Sequence, residues 1–273
     1  MLTEKSLIVD SITIHYAEGP SNDLPLVMIH GMTGYWKYFV PMMPSLALRS
    51  HIFAPDLRGH GASSRTPGAY SLADDERDLI AFLRAKANKP ALLVGHSYGA
   101  IIATATAASV PQLVRAVVAV DPPLPLLTKQ GSWLANAIFP YFRALYSLLS
   151  QDHTDADRMV KLAKLLPDAD ALTLHQRLQQ FKRFDPERLL WSIERRVEAG
   201  RTVETLVSGI TCPLLLIQCN PALGGVLDDT TACRTAELLS NCIHLYRSDA
   251  GHDIPQQQPT ALAKMVTDFL ELL

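Results

Sequence analysis

Cysteine is scarce in this chain and confined to one region. All four cysteines fall in the last quarter of the 273 residues, without the close pairing typical of metal ligands: Cys212, Cys219, Cys233 and Cys242. Buried free thiols are the default expectation, although a pairing of Cys212 with Cys242 stays open because both begin predicted neighbouring strands. The scarcity excludes a disulfide scaffold, and we expect neither a metal nor another cofactor.

Long apolar runs and an excess of charge of one sign are also missing. No apolar segment is long enough to span a bilayer, and the residues from Met1 to Ser6 do not resemble a secretory signal. The 25 Lys and Arg residues nearly balance the 27 Asp and Glu residues, which leaves a formal net charge of −2. We therefore expect a cytoplasmic monomer or homodimer that binds neither nucleic acid nor a membrane.

Hydrophobic residues, by contrast, make up 48% of the chain, which is enough for a large core without disulfides. Residues 6–18 alternate in the manner of a hairpin, with strands at 6–9 and 12–16. From Pro25 onward, short apolar strands alternate with helices predicted over 36–48, 72–87 and 98–108. Because strands that alternate with helices are typical of a parallel sheet, the pattern predicts an α/β fold.

This alternation stops at Asp121. The next 85 residues or so contain no comparable apolar strand and four predicted helices, over 133–150, 155–166, 169–181 and 186–199. Strands then resume, and a final helix is predicted near residues 259–272. We therefore predict a core domain of residues 1–121 and 207–273, with residues 122–206 inserted as a helical lid.

The most informative segment runs from Leu92 to Ala103. It consists of an apolar strand, the sequence Gly95-His96-Ser97-Tyr98-Gly99, and a helix of small residues. A Gly-x-Ser-x-Gly pattern between a strand and a helix is typical of a nucleophile elbow, a sharp turn that exposes the serine hydroxyl. Glycines on both sides relieve the crowding that such a turn creates. The segment therefore predicts that Ser97 is a nucleophile.

Three further motifs accompany the elbow in a characteristic order. A strand from Leu26 runs into a His30-Gly31 turn, a second strand ends in an Asp-x-Arg-Gly-x-Gly turn beginning at Asp56, and a Gly251-His252 loop follows the last apolar strand. Together these features resemble the α/β-hydrolase superfamily over essentially the whole chain. The resemblance implies a mostly parallel eight-stranded sheet, helices on both faces and a helical lid after strand 6.

The chemistry of a serine nucleophile requires a base, because the hydroxyl is weakly nucleophilic at neutral pH. His252 is the best candidate among nine histidines, since it follows Gly251 in a short loop after the last strand. His30 and His60 lie in turns where the histidines of the superfamily are usually structural. We expect the His96 side chain to point away from the Ser97 hydroxyl.

The acid departs from the commonest pattern of the superfamily. Most members carry an aspartate shortly after the strand that here ends at Gln218, but residues 219–225 contain no carboxylate. Asp121, at the end of the preceding strand, is the favoured acid, because some members, including certain dehalogenases and lactone hydrolases, carry it there. Asp228 is the alternative, although Asp228 and Asp229 resemble the N-cap and first turn of a helix.

Backbone amides and aromatic side chains complete the predicted site. The resemblance implies that the amides of Met32 and Tyr98 form the oxyanion hole. Aromatic side chains are expected to surround the serine with apolar surface, although Trp36 is equally well explained by core packing. The candidate substrate contacts are Tyr35, Trp36, Trp133, Phe139, Phe142 and Trp191.

These residues together predict a metal-free serine hydrolase that cleaves a medium-sized hydrophobic ester or lactone through an acyl-enzyme. An apolar chamber fits such a substrate better than a charged or polymeric one. C–C bond hydrolysis and cofactor-free perhydrolase or haloperoxidase-like chemistry stay open, because they use the same triad. A small-molecule receptor on a hydrolase scaffold is a further alternative, since fold alone does not imply function.

Overall fold

A computed structural model of the protein describes residues 2–273 and shows one eight-stranded sheet. The strands lie in the order β1-β2-β4-β3-β5-β6-β7-β8. The first two strands pair antiparallel with their neighbours, and all the remaining pairs are parallel. The strands are β1 (Thr3–Val9), β2 (Ile12–Glu18), β3 (Leu24–Ile29), β4 (Ser50–Pro55), β5 (Ala91–His96), β6 (Val114–Val120), β7 (Leu214–Cys219) and β8 (Cys242–Arg247).

Burial along the strands follows their position in the sheet. Every residue of β5 and β7 is buried, whereas the edge strands β1 and β8 are largely exposed or half-buried. Continuous apolar sequence is what a parallel strand covered on both faces requires. The predicted hairpin is present as β1 and β2, and Asp10 in its turn has a φ of 51°.

Helices cover both faces of the sheet and continue between β6 and β7. Two large buried clusters lie on the two faces, one beneath α2 and α3 and the other beneath α1 and α11. The helices are α1 (Met43–Leu46), α2 (Leu72–Lys86), α3 (Tyr98–Ser109), α4 (Ser132–Ser150), α5 (Asp155–Leu165), α6 (Ala171–Phe181), α7 (Glu187–Ile193), α8 (Val203–Val207), α9 (Asp229–Leu238), α10 (Ile254–Gln257) and α11 (Pro259–Glu271).

Two predicted helices are shorter than the sequence pattern indicated. The segment 36–48 is a 3-10 turn, Trp36–Phe39, followed by the single turn α1, because Pro41 and Pro44 interrupt the helical hydrogen bonds. The helix predicted over 186–199 ends at Ile193, and Arg195 then takes a left-handed φ of 58°.

The helices between β6 and β7 form the helical insertion, which comprises α4 to α8. Helices α4, α5, α6 and α7 contact one another, while α8 packs against α3 and α9 of the core. The predicted boundary at residue 206 therefore falls inside α8. All four cysteines are free. Within residues 2–273, no helix is both long enough and apolar enough to cross a membrane.

Candidate active site

Ser97 lies on a sharp turn between β5 and α3. Its backbone is left-handed, with φ of 55° and ψ of −123°, although serine has a side chain that disfavours positive φ. A Cβ on Gly95 would lie 2.3 Å from the Gly99 carbonyl oxygen, and one on Gly99 would lie 2.1 Å from the Ile29 carbonyl oxygen. Both positions therefore require glycine, and the strained turn holds the serine in place.

The structure brings Ser97, His252 and Asp121 together in one chain of hydrogen bonds. The His252 Nε2 atom lies 3.1 Å from the Ser97 hydroxyl oxygen, and the His252 Nδ1 atom lies 2.7 Å from the Asp121 Oδ2 atom. The carboxylate accepts a hydrogen bond from the Nδ1–H group, which leaves Nε2 unprotonated and free to accept the proton of the hydroxyl. The arrangement can therefore increase the nucleophilicity of the serine oxygen.

The Asp121 carboxylate is fully buried at the end of β6, where its backbone has a φ of 44°. Two amides donate to it, Cys219 N–H to Oδ1 at 3.1 Å and Val226 N–H to Oδ2 at 2.9 Å. Burial raises the pKa of Asp121, but the His252 imidazole and these two amides outweigh burial, so the pKa lies below its usual value. The side chain is therefore held as an anion facing the imidazole.

The alternative acids lie elsewhere. Asp228 caps α9, accepting the Thr231 N–H at 2.7 Å, and Asp229 accepts a hydrogen bond from the Gln218 amide at 2.6 Å. These are the roles of N-cap and first-turn acid that the sequence suggested for them. Neither carboxylate is hydrogen-bonded to His252.

The two amides predicted for the oxyanion hole come from adjacent segments. Tyr98 is the first residue of α3, and the first N–H groups of a helix have no partner within it. Met32 follows Gly31, whose substitution by a larger residue would place a Cβ 3.4 Å from the Ser97 hydroxyl oxygen. The loop that carries Met32 therefore lies directly against the serine.

Two buried histidines hold that loop. His30 Nε2 accepts the Leu57 N–H at 3.1 Å, so its Nδ1 carries the proton and donates to the Gly31 carbonyl at 2.8 Å. His60 Nε2 lies 2.7 Å from the Met32 carbonyl oxygen. Burial and the neighbouring His60 lower the pKa of His30 to about 3, and burial and the Arg188 charge lower that of His60 to about 3. Both imidazoles are therefore neutral supports of the loop.

His96 has a contact that the sequence did not indicate. Its Nε2 atom lies 2.8 Å from the His252 carbonyl oxygen, and its ring stacks on Tyr38 at 5.1 Å between centroids. Burial and the adjacent His252 lower the pKa of His96 to about 4, so the ring is neutral and Nε2 donates. The His96 side chain therefore helps to position the backbone of the loop that contains His252.

A cavity of about 400 Å³ opens beside Ser97 and His252. Its floor is formed by core loops and its roof by α4, α5 and α6 of the helical insertion. The apolar lining comprises Met32, Ile138, Tyr141, Phe142, Leu165, Leu166 and Val226. A volume of this size suits a small organic molecule.

Of the six aromatic side chains predicted to contact substrate, only Phe142 is part of the lining found within residues 2–273. The other five lie outside the cavity, because each packs against another part of the protein or is exposed to solvent. Trp36 is buried in the core with Tyr35 against it, and Phe139 packs on Leu126 and Leu134. Trp133 is 40% exposed and Trp191 lies under Arg196.

Three polar residues of the cavity were not singled out by the sequence. The Tyr38 hydroxyl donates to Asp253 Oδ1 at 2.7 Å, and Arg177 extends from α6. Burial raises the pKa of Asp253, but the Tyr38 hydroxyl and nearby positive charge outweigh it, so the pKa lies below its usual value. Asp253 directly follows His252, which could have identified it, whereas no sequence signal marked Arg177.

The fold, with a serine on the elbow after β5 and a histidine after β8, is that of an α/β hydrolase. A sequence profile of the alpha/beta hydrolase family matches residues 26–265, and the chain belongs to this family. The protein is therefore a hydrolase.

Individual relatives carry several different names. A 2-(acetamidomethylene)succinate hydrolase of Mesorhizobium japonicum is 38% identical over 113 residues, which is 41% of this chain and only 40% of that protein. Lipase LipV of Mycobacterium tuberculosis is 27% identical over 97% of this chain and 99% of its own length. The crystal structure of N-formylmaleamic acid deformylase from Pseudomonas putida superimposes with a TM-score of 0.76 and 20% identity, covering 97% of this chain and 100% of that one.

Proposed function

We propose that the protein is a serine hydrolase that cleaves a small carboxylic ester or lactone through an acyl-enzyme. The observation that carries the proposal is the hydrogen-bonded chain from Ser97 through His252 to Asp121, which ends in a cavity with apolar walls. A serine hydroxyl paired with an oriented imidazole is the standard apparatus for acyl transfer.

In the proposed mechanism, the Ser97 oxygen attacks the carbonyl carbon while His252 Nε2 accepts the hydroxyl proton. Asp121 stabilises the resulting imidazolium, and the amides of Met32 and Tyr98 stabilise the oxyanion. Collapse of the tetrahedral intermediate breaks the acyl–oxygen bond, and the imidazolium gives its proton to the leaving alcohol. Water then attacks the acyl-enzyme by the same steps, releasing the acid and restoring the serine.

The walls of the cavity support an organic acyl group of moderate size. Contact with side chains such as Phe142, Leu165 and Val226 would remove apolar substrate surface from water, which makes the free energy of binding more favourable. The names of the relatives do not select one substrate, since they include a lipase and a hydrolase of a substituted succinate. The substrate class must therefore come from the cavity of this chain.

Covalent labelling with a fluorophosphonate tests the proposal, because only an activated serine reacts rapidly with such a probe. We expect wild-type protein to be labelled at Ser97 and to hydrolyse short p-nitrophenyl esters, and Ser97→Ala to lose both activities while keeping its fold. His252→Ala should be almost as inactive, because triad residues act as a unit and either loss costs about 10⁶-fold in a well-studied serine protease.

The labelling experiment also separates the alternatives. Full ester hydrolysis by Ser97→Ala would contradict the proposed mechanism. A labelled serine without ester turnover would instead favour a receptor role or another reaction of the same triad. Circular dichroism of each variant, compared with the wild type, shows whether a loss of activity reflects a loss of fold.

A further inference from the structure

Arg177 differs from the other arginines of the helical insertion in that it lines the cavity and has no carboxylate partner within residues 2–273. Five others each have a carboxylate oxygen within 4 Å of a guanidinium nitrogen: Arg158, Arg188, Arg195, Arg196 and Arg201. Within residues 2–273, no carboxylate lies that close to the Arg177 guanidinium. Its one hydrogen bond joins Nη1 to the Gln180 Oε1 atom at 3.3 Å. Most of its five N–H donors are therefore free to bind a ligand.

The position of Arg177 is as informative as its lack of a partner. It is the only lysine or arginine among the described residues that line the cavity beside Ser97. Gln180, which accepts its hydrogen bond, also donates to the Thr33 carbonyl in the loop that follows Gly31. The guanidinium is thus tethered to the same loop that carries the Met32 amide. A ligand group bound by Arg177 would therefore be held at a fixed position relative to the Met32 amide, which is predicted to contact the reacting carbonyl.

The one carboxylate in the lining described within residues 2–273 belongs to the core rather than to the insertion. Asp253 is already paired with the Tyr38 hydroxyl at 2.7 Å, and it directly follows His252. Its negative charge repels an anionic group from the catalytic histidine and so favours placement of that group near α6. The remaining lining is largely apolar, which strengthens the interaction of a partly buried guanidinium with an anion.

We propose that Arg177 binds a carboxylate of the substrate, so that the protein hydrolyses esters or lactones that also carry an acid group. The guanidinium fork matches a carboxylate with two parallel N–H···O bonds. The inference rests on the proposed function, in which Ser97 attacks a carbonyl in the same cavity. It replaces the uncharged substrate expected from the sequence with one that has an apolar middle and an anionic end.

The test compares substrates that differ only in charge. Mono-p-nitrophenyl glutarate and adipate are paired with p-nitrophenyl pentanoate and hexanoate, and the rate with Ser97→Ala is subtracted as background. We expect wild-type kcat/KM to favour the charged ester of each pair by at least about tenfold. Loss of hydrogen bonds to a charged group typically changes affinity by about 10- to 100-fold. Arg177→Met should therefore reduce the charged-to-neutral ratio by about that factor.

Matched variants distinguish this role from a general effect on folding. Arg177→Lys keeps the charge without the fork and should recover part of the preference. Arg183→Met removes an exposed arginine just beyond α6 and should leave the ratio unchanged. Calorimetric binding of adipate provides a readout without turnover, and we expect Arg177→Met, but not Arg183→Met, to weaken it at least about tenfold.

Failure of this inference and failure of the proposed function give different results. If Ser97 is labelled and neutral esters are hydrolysed, but wild-type protein neither prefers charged esters nor binds adipate, the carboxylate site is disproved alone. If adipate binding depends on Arg177 but Ser97 is neither labelled nor needed for turnover, the carboxylate site is supported and the proposed hydrolase mechanism is disproved.

Discussion

The two walls of the cavity are built differently. The core wall carries the proposed nucleophile, base and acid on strand ends and buried loops, where Asp121, His30 and His60 are at most 1% exposed. The insertion wall is formed by α4, α5 and α6, whose surfaces are largely exposed or half-buried. Rigid elements thus hold the reacting groups, while less constrained helices form the surface that selects the substrate.

A fully buried ion pair joins the insertion to the core. Arg188 of α7 is fully buried and binds Asp75 of α2 through two nitrogens, at 3.0 and 2.9 Å. The Tyr98 hydroxyl donates to the same carboxylate at 2.6 Å, directly after the nucleophile. Helices α5 and α6 are instead linked by the exposed pair of Lys182 with Asp155. The buried pair at α7 therefore attaches the insertion to the core, whereas the exposed pair joins two parts of the insertion.

The largest expected effect is on the core wall, for Asp121→Asn. An amide cannot hold the imidazole in the same tautomer or stabilise the imidazolium. The same Asp→Asn substitution in another Ser-His-Asp triad lowered kcat by about 10⁴-fold. We predict a decrease of several orders of magnitude in kcat for a p-nitrophenyl ester. Asp228→Asn serves as the control and should change kcat little, because Asp228 caps α9. The reverse result would transfer the role of acid to Asp228.

Asp75→Ala tests the buried ion pair and is expected to have the next largest effect. The substitution leaves the Arg188 charge buried without a partner, which typically costs about 3–5 kcal/mol in the free energy of unfolding. Urea unfolding followed by circular dichroism measures the loss. The double variant Asp75→Leu with Arg188→Met should recover much of the loss, because well-packed apolar residues can replace a buried ion pair.

The exposed pair of Asp155 and Lys182 is the control for the buried pair of Asp75 and Arg188. Asp155→Ala removes the partner of Lys182 but leaves no buried charge, since both side chains are solvated. We expect no measurable change in the free energy of unfolding. Equal losses from Asp75→Ala and Asp155→Ala would contradict a larger cost for leaving the buried Arg188 charge without a partner.

The sequence predicted the core wall far better than the insertion wall. The elbow, the histidine loop and Asp121 could be predicted because turns at strand ends impose specific residues, such as Gly95 and Gly99. Helical periodicity in the insertion shows which side of a helix is apolar, but not which neighbour covers it. Trp133 and Trp191 were therefore misplaced, and Arg177 could not be distinguished from a solvated surface arginine.

The buried histidines of the core wall predict how stability depends on pH. His30 and His60 have a pKa of about 3 in the folded protein against 6.5 unfolded, so below pH 6.5 only the unfolded chain takes up their protons. Stability therefore falls as pH decreases, by about 1.4 kcal/mol per histidine for each pH unit below 6.5. His15 opposes this loss, because its hydrogen bond to Asp56 outweighs burial and raises its pKa. Urea unfolding at pH 7.5 and 5.5 should show a net decrease.

Two variants separate these opposing contributions. His60→Gln should reduce the difference between pH 7.5 and 5.5 by about 1.4 kcal/mol, whatever its effect on absolute stability. His15→Gln should increase the difference, because it removes a group whose protonation stabilises the folded state at low pH. An unchanged or increased difference in His60→Gln would contradict the assignment of His60 as a buried neutral group, and a decreased difference in His15→Gln would contradict the raised pKa of His15.

The smallest expected effect on catalysis concerns the aromatic side chains of the insertion wall. Phe142 lines the cavity, whereas Trp133 is 40% exposed outside it and donates a hydrogen bond to Asp228 at 3.2 Å. Phe142→Ala should raise KM for a p-nitrophenyl ester about tenfold by removing buried apolar contact, with kcat little changed, because such contact binds ground state and transition state alike. Trp133→Ala should alter KM less than about twofold. A larger effect from Trp133→Ala would mean that α4 turns its other face to the substrate, and that the insertion wall rearranges when substrate binds.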